Sequence, residues 1–150
     1  DLHYPLRRQR QMCIRDSDIL LTKVASILKC LNRVQEDFEN ENTFRNNITK
    51  QDAVVLNLLR ACEASIDIAN HIVKEKRLGL PKSAREGFEL LSKNELIQAE
   101  TARRMRNMIG FRNIAIHDYQ ALNLDIVVNI ALHRLDDFKD FVSEVDNKKE

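Results

Sequence analysis

The chain is 150 residues long, with 24 Lys and Arg against 23 Asp and Glu and a formal net charge of +1. A single domain of that size buries most of its apolar surface without staples, and near-neutrality excludes a chain-wide basic field as the means of holding nucleic acid. Two prolines and three glycines suit helices on short connections rather than a hairpin-rich β fold, and no apolar run nears the ~20 residues that span a bilayer, so a cytoplasmic protein with no membrane partner is expected.

Residues 1–17 stand apart. They carry four arginines and two aspartates and hold no helical apolar period, and the run Arg-Gln-Arg-Gln-Met-Cys-Ile-Arg-Asp-Ser resembles translated adapter read-through. They are expected to be a non-native or disordered lead. Without them the balance is 24 − 4 = 20 basic against 23 − 2 = 21 acidic residues. The helical domain is placed at 18–146, and 147–150 is a charged, frayed tail.

From Asp18 to about Phe38, apolar residues at Leu20, Val24, Ile27, Leu28, Leu31, Val34 and Phe38 fall at gaps of three and four. They make one stripe on a helix, with Asp18 as its N-cap. Glu39–Asn47 is a polar connection pinned by Phe44. Thr49-Lys-Gln-Asp52 resembles a capping box opening a second helix, apolar at Val54, Val55, Leu58, Leu59, Cys62, Ile66, Ala69, Ile72 and Val73. That pattern exceeds one stripe and predicts the central, most buried helix, stopped by Gly79 and Pro81. Ser83-Ala-Arg-Glu86 opens a short third helix carrying Phe88, Leu90 and Leu91. A fourth runs from about Gln98 to near His117 and buries Met105, Met108, Ile109 and Phe111. Gly110 weakens it by about 1 kcal/mol relative to alanine, which a close helix approach would offset. Asn123 caps a fifth, with Ile126, Val127, Ile130, Leu135, Phe138, Phe141, Val142 and Val145 inward. The fold class is all-α, an up-and-down bundle of four to five helices.

Most chemistries a bundle can host are missing. The three cysteines, Cys13, Cys30 and Cys62, lack metal-ligand or disulfide spacing, and Cys30 and Cys62 read as small core residues. Neither His71, His117 nor His133 has a Glu three residues before it, as di-metal bundles require, so no metal is assigned. HExxH, GxxxxGK[ST] and GxSxG are absent. His71 reads as a hydrogen-bonded core residue and His133 as a solvated one.

What remains is Gly110-Phe-Arg-Asn-Ile-Ala-Ile-His-Asp-Tyr119, polar groups gathered between two helical stretches. Arg112 and His117 are five apart, half a turn out of alignment on an ideal helix. They converge only if the helix ends or bends near His117, or if two chains meet. An imidazole with a reference pKa near 6.5 takes a proton from a ribose 2′-hydroxyl or gives one to a 5′-oxygen. A guanidinium holds two phosphate oxygens and stabilises the pentacoordinate transition state. Together they suffice for RNA cleavage by internal 2′-hydroxyl attack, with neither metal nor enzyme nucleophile. Asn113 and Asp118 are supporting groups, and Arg103, Arg104 and Arg106 are candidate contacts to the RNA backbone. The bland readings are a helix-terminal Arg and His with structural roles, a solvated arginine face, and a partly buried ring at Tyr119.

The segment Arg112-Asn113-Ile114-Ala115-Ile116-His117-Asp118-Tyr119 resembles the R-x4-H-x-Y motif of HepT-like toxins, a branch of the HEPN superfamily. The resemblance runs from about Asp18 to Val145, through Thr49-Lys-Gln-Asp52, Leu58-Leu-Arg-Ala-Cys-Glu63 and Leu78-Gly-Leu-Pro81. It implies a homodimer whose two motifs face one another across a cleft. It also implies metal-independent endoribonuclease activity on an RNA substrate, in a type VII-like toxin–antitoxin pair, with Arg112 and His117 catalytic and Asn113 the polar neighbour. The implied partner is an MNT-type nucleotidyltransferase antitoxin that moves AMP from ATP to Tyr119. The chain itself would need no cofactor, ATP being used by the antitoxin. The competing reading is a non-catalytic helical adaptor that dimerises and binds a nucleotidyltransferase or RNA.

Overall fold

In the computed structural model, residues 3–147 are described, with side chains from 18 to 146. The order is α1 (His3–Phe38), α2 (Glu41–Arg45), α3 (Ile48–Glu75), α4 (Ala84–Lys93), α5 (Ala99–His117), a 3-10 turn (Tyr119–Ala121), α6 (Leu124–Asn129), a π turn (Ile130–Arg134) and α7 (Leu135–Asn147). No strand occurs among the described residues. The fold is an all-α bundle. α1 and α3 pack along one another, α4 lies against α3 and α5, and α5 is held between α3 and α7.

The start of α1 differs from the expectation. Asp18 does not cap it, because the helix backbone runs from His3 through Asp18, whose carbonyl accepts from the Thr22 hydroxyl at 2.8 Å. The expectations for residues 1–17 fall on side chains outside those described, Cys13 among them, and residues 148–150 lie outside entirely. In the α1 stripe Leu20, Ile27, Leu31, Val34 and Phe38 are buried, whereas Leu28 faces out.

The connection after α1 is pinned as its sequence predicts. Phe44 is fully buried and packs against Phe38 with the rings tilted and their centroids 4.9 Å apart. The cap of α3 is Asn47, whose side chain accepts from the Lys50 amide, and not Thr49. An asparagine carbonyl reaches the N3 amide with good geometry, and Asn47 lies just before the first helical residue. Asp52 is thereby left outside the cap. α3 is the central helix, burying thirteen residues including Val54, Leu58, Cys62 and Ile68.

The stop of α3 precedes Gly79 and Pro81. Arg77 takes a left-handed conformation (φ 53°) and the Leu78 amide donates to the Val73 carbonyl at 2.9 Å, the 6→1 closure that ends a helix. Glu95 (φ 60°) closes α4 in the same way, with Leu96 N–H on Leu91 O at 2.9 Å. Ser83 caps α4 by accepting from the Glu86 amide.

Close helix approach occurs at Gly87 rather than Gly110. A Cβ on Gly87 would stand 3.0 Å from Asn70 Oδ1 and 3.8 Å from Ala69 Cβ, both on α3, whereas one on Gly110 would meet only the Arg85 guanidinium at 3.3 Å. Beyond Asn123, which caps α6 through the Asp125 amide at 2.8 Å, the expected fifth helix is interrupted. Ile130 and Leu135 are both buried yet five apart, a spacing that an α-helix puts on different faces and that an i→i+5 π turn aligns. Ile126 is exposed, against expectation. Phe138 and Phe141 fill the core, Phe141 meeting Phe88 edge-on at 5.3 Å. Fully burying a side chain of this size contributes about 1.5–3 kcal/mol. Cys30 and Cys62 are buried free thiols, as expected. His133 is exposed and His71 half-buried.

Candidate active site

α5 carries the motif, and its first turn is fixed by a distant residue. Gln98, just before the helix, offers no side-chain cap. Instead the Glu144 carboxylate from α7 accepts from the Gln98 amide at 2.6 Å and from the buried Thr101 hydroxyl. The helix is also tied sideways, because the Arg104 guanidinium lies 3.7 Å from Asp137 and 3.5 Å from Asp140 on α7. Burial pushes the Asp137 carboxyl up, with Arg104 opposing.

The three upstream arginines are all in ion pairs. Arg103 grips Glu100 and, chiefly through that hydrogen bond, holds its carboxyl down to about 2. Arg104 reaches Glu100 at 3.2 Å as well as α7, and Arg106 lies 3.9 Å from Glu89. Arg85 on α4 makes no ion pair among the described residues. A cavity of about 620 Å³ lies between α5 and the 122–137 segment, lined in part by Arg85, Arg103, Asn107, Asn113 and Arg134.

Arg112 is held by two neighbours. Its Nε donates to Glu63 Oε1 on α3 at 2.6 Å, and its Nη1 donates to Asn113 Oδ1 at 3.0 Å. The side chain is one quarter exposed, and Nη2 has no hydrogen-bond partner among the described residues. This is an oriented guanidinium with an open edge, suited to a phosphate oxygen. Asn113 thus connects the arginine to the cavity, which it also lines.

α5 continues unbroken through Arg112 and ends at His117. The Asp118 amide donates to the Ile114 carbonyl at 2.8 Å, and the backbone then leaves the helix at Asp118 (φ −151°). His117 is exposed at this end. At ~100° per residue the side chains of Arg112 and His117 leave α5 about 140° apart, so one helix does not bring them onto one face. Asp118 is exposed beside them.

Tyr119 opens the 3-10 turn. Its hydroxyl donates to the Asp52 carboxylate on α3, while 44% of the residue remains accessible. Partial burial of the phenol, then the Asp52 hydrogen bond and charge, push its pKa up to about 12. Ile114 and Ile116 are also more than 40% exposed, which makes the motif an apolar as well as a polar surface.

Glu63, the anchor of Arg112, and Asp52, the partner of Tyr119, are residues that sequence reasoning left without a role. Both lie in stretches that carry the family resemblance, but periodicity says nothing about partners on another helix. For Glu63 a signal existed, since it is a lone charge inside Ala61-Cys62-Glu63-Ala64-Ser65-Ile66. Asp52 was hidden by its reading as a capping residue. Among the described residues no three His, Cys, Asp or Glu side chains are grouped to hold a metal ion, and no helix is long and apolar enough to cross a membrane.

Residues 27–145 match the model of the HepT-like family, described as ribonuclease HepT-like. The chain is 46% identical over 129 residues to the mRNA nuclease HepT of Shewanella oneidensis, covering 86% of this chain and 97% of that protein. Among solved structures it is similar to a tri-AMPylated Shewanella oneidensis HEPN toxin in complex with an MNT antitoxin, with a TM-score of 0.84, 46% identity, and coverage of 87% of this chain and 98% of that one. It is also similar to a toxin–antitoxin complex bearing a tyrosine-to-alanine substitution, with a TM-score of 0.83, 44% identity, and coverage of 86% and 98%.

Proposed function

This chain belongs to the HepT-like ribonuclease family, and we propose that it is the endoribonuclease toxin of a type VII-like toxin–antitoxin pair, active without a metal and silenced by AMPylation of Tyr119. The observation that carries this reading is the anchored Arg112, with one guanidinium edge open, on the helix that ends at an exposed His117. The Arg112 guanidinium binds the non-bridging oxygens of the scissile phosphate. His117 takes the proton of the ribose 2′-hydroxyl as that oxygen attacks phosphorus. The bond to the 5′-oxygen breaks, leaving a 2′,3′-cyclic phosphate, and the leaving oxygen is protonated by a second imidazole or by water.

The two groups diverge on one helix, so the active unit is a homodimer in which the arginine of one chain serves the histidine of the other. Exposed Ile114, Ile116 and Tyr119 supply apolar surface for such a contact, and Asn113 and Asp118 flank the reacting groups. RNA beyond the scissile linkage lies against the basic face of α5. Arg103, Arg104 and Arg106 contribute there to the extent that phosphates displace Glu100, Glu89 and the α7 carboxylates. An MNT-type nucleotidyltransferase is the partner. It uses ATP in the cytoplasm, and its adduct on Tyr119 adds negative charge to the exposed motif surface and fills space that the substrate needs.

The test is RNA cleavage and growth inhibition by Arg112→Ala and His117→Ala, each purified and checked for an intact dimer. Both lose activity by at least 100-fold. Full activity in either variant removes the assignment, and a wild-type chain that neither cuts RNA nor inhibits growth favours the helical adaptor.

A further inference from the structure

We propose that Asp52 is the general base for the modification of Tyr119: the chain that is silenced supplies the proton acceptor for its own adenylylation. This rests on Tyr119 being the acceptor of AMP, and goes beyond it by assigning the base to the toxin rather than to the nucleotidyltransferase.

The motivating contact is long in sequence and specific in chemistry. Asp52 lies on α3 and Tyr119 on the 3-10 turn after α5, 67 positions apart, yet the phenol donates directly to the carboxylate. Asn47 performs the capping of α3, which leaves the Asp52 side chain with no other hydrogen bond and no ion pair among the described residues. Tyr119 is accessible, so its oxygen can meet a nucleotide carried by another protein. Its pKa of about 12 keeps the hydroxyl protonated at neutral pH, and a protonated phenol is a poor nucleophile unless a base removes the proton during attack.

A purely mechanical tether for the turn is the competing role. An asparagine or glutamine would serve that purpose equally well and would not repel an incoming polyphosphate. The charge on Asp52 works against the approach of the triphosphate, and its compensating use is to accept a proton.

The step balances as follows. Tyr119 Oη forms a bond to the α-phosphorus of ATP while the bond from that phosphorus to the bridging oxygen of the β-phosphate breaks. Pyrophosphate leaves with the electron pair, and the hydroxyl proton passes to Asp52 and then to water. The product oxygen bears no proton, so the contact with Asp52 ends. The new phosphodiester charge then faces a carboxylate, and the modified side chain is pushed away from α3.

The experiment measures transfer of label from α-32P-ATP to the full chain by the purified MNT-type nucleotidyltransferase, for wild type, Asp52→Asn, Asp52→Glu and Tyr119→Phe. Binding to the nucleotidyltransferase and RNA cleavage are recorded in parallel. Asp52→Asn keeps a hydrogen-bond acceptor but is a far weaker base, and labelling slows by about 100-fold with binding and RNA cleavage unchanged. Asp52→Glu, which restores a carboxylate, recovers a large part of the rate. Labelling of Asp52→Asn within about threefold of wild type overturns the proposal and leaves Asp52 as a tether. So does an equal loss in Asp52→Asn and Asp52→Glu accompanied by weakened binding. Undiminished labelling of Tyr119→Phe defeats a different claim, the identity of the acceptor.

Discussion

Replacing Glu144 with alanine removes the acceptors that organise the start of α5, the helix carrying Arg112 and His117. Two bonds are lost: the 2.6 Å contact from the Gln98 amide and the one from the Thr101 hydroxyl. A side-chain acceptor at a helix N-terminus contributes typically about 1 kcal/mol, and charge acceptance near the positive helix end adds several tenths more. Thr101 is only 5% exposed, so its hydroxyl loses a partner where water is scarce, at a cost of about 1 kcal/mol after it turns to a carbonyl of its own helix. The total is about 2 kcal/mol, or a fall in Tm of about 4–8 °C for a chain of this length. Urea unfolding followed by circular dichroism measures it. Glu144→Gln, which retains an acceptor for the Gln98 amide, should lose about half as much. A loss below about 0.5 kcal/mol for Glu144→Ala would show that α5 is held by its packing and its Arg104 ion pairs alone.

The two helical glycines should respond oppositely to alanine. Gly87→Ala sets a Cβ 3.0 Å from Asn70 Oδ1 and should destabilise by about 1–3 kcal/mol, whereas Gly110→Ala meets only a flexible arginine end and should be neutral or stabilising by up to about 1 kcal/mol; thermal melts of the pair decide. The Cys62 thiol, pushed up to about 12 by burial, should resist iodoacetamide at pH 8 in the folded protein and react only on unfolding, read by peptide mass spectrometry. Tyr119 should ionise near pH 12, seen as phenolate absorbance missing from Tyr119→Phe, and Asp52→Asn should lower that value. Because the folded pKa lies above the ordinary 10, the associated stability is complete below pH 10 and lost as pH rises through 12; a Tyr119 titration near 10 would contradict the contact with Asp52.

The bundle was legible because its signals are local. Gaps of three and four placed the stripes of α1, α3 and α5, while Ser83 and Asn123 marked two helix starts correctly. The misreadings have more than one cause. Asn47, one residue before α3, displaces Thr49 as its cap, Arg77 ends α3 in the left-handed conformation without being glycine, and the π turn at 130–134 shifts the face of the last helix. For the candidate site, the segment from Arg112 to Tyr119 stood out because its imidazole, guanidinium and phenol had no structural purpose visible in the periodicity. Glu63 and Asp52 stayed hidden because the contacts that define them cross from α3 to α5 and the turn beyond it, over 49 and 67 positions.

The divergence of Arg112 and His117 on an unbroken helix has a consequence that chain mixing can test. Suppose each site in a two-fold dimer takes its arginine from one chain and its histidine from the other. In a mixed dimer of Arg112→Ala and His117→Ala chains, one site then lacks both groups and the other lacks neither. If each site is built within one chain, both sites of the mixed dimer are defective. Co-expression of the two inactive variants with different affinity tags, followed by tandem purification, isolates the mixed dimers. Random pairing makes them about half of the population with one of two sites intact, so the unfractionated mixture should regain about a quarter of wild-type RNA cleavage and the purified mixed dimer about half. The double variant Arg112→Ala/His117→Ala paired with wild type supplies the converse, because in the two-chain arrangement each of its sites lacks one group and the mixed dimer is inactive, whereas sites built within one chain leave it half active. Recovery in the second pairing and not the first would refute the shared site. The guanidinium and imidazole would then have to meet by movement of the helix end at His117.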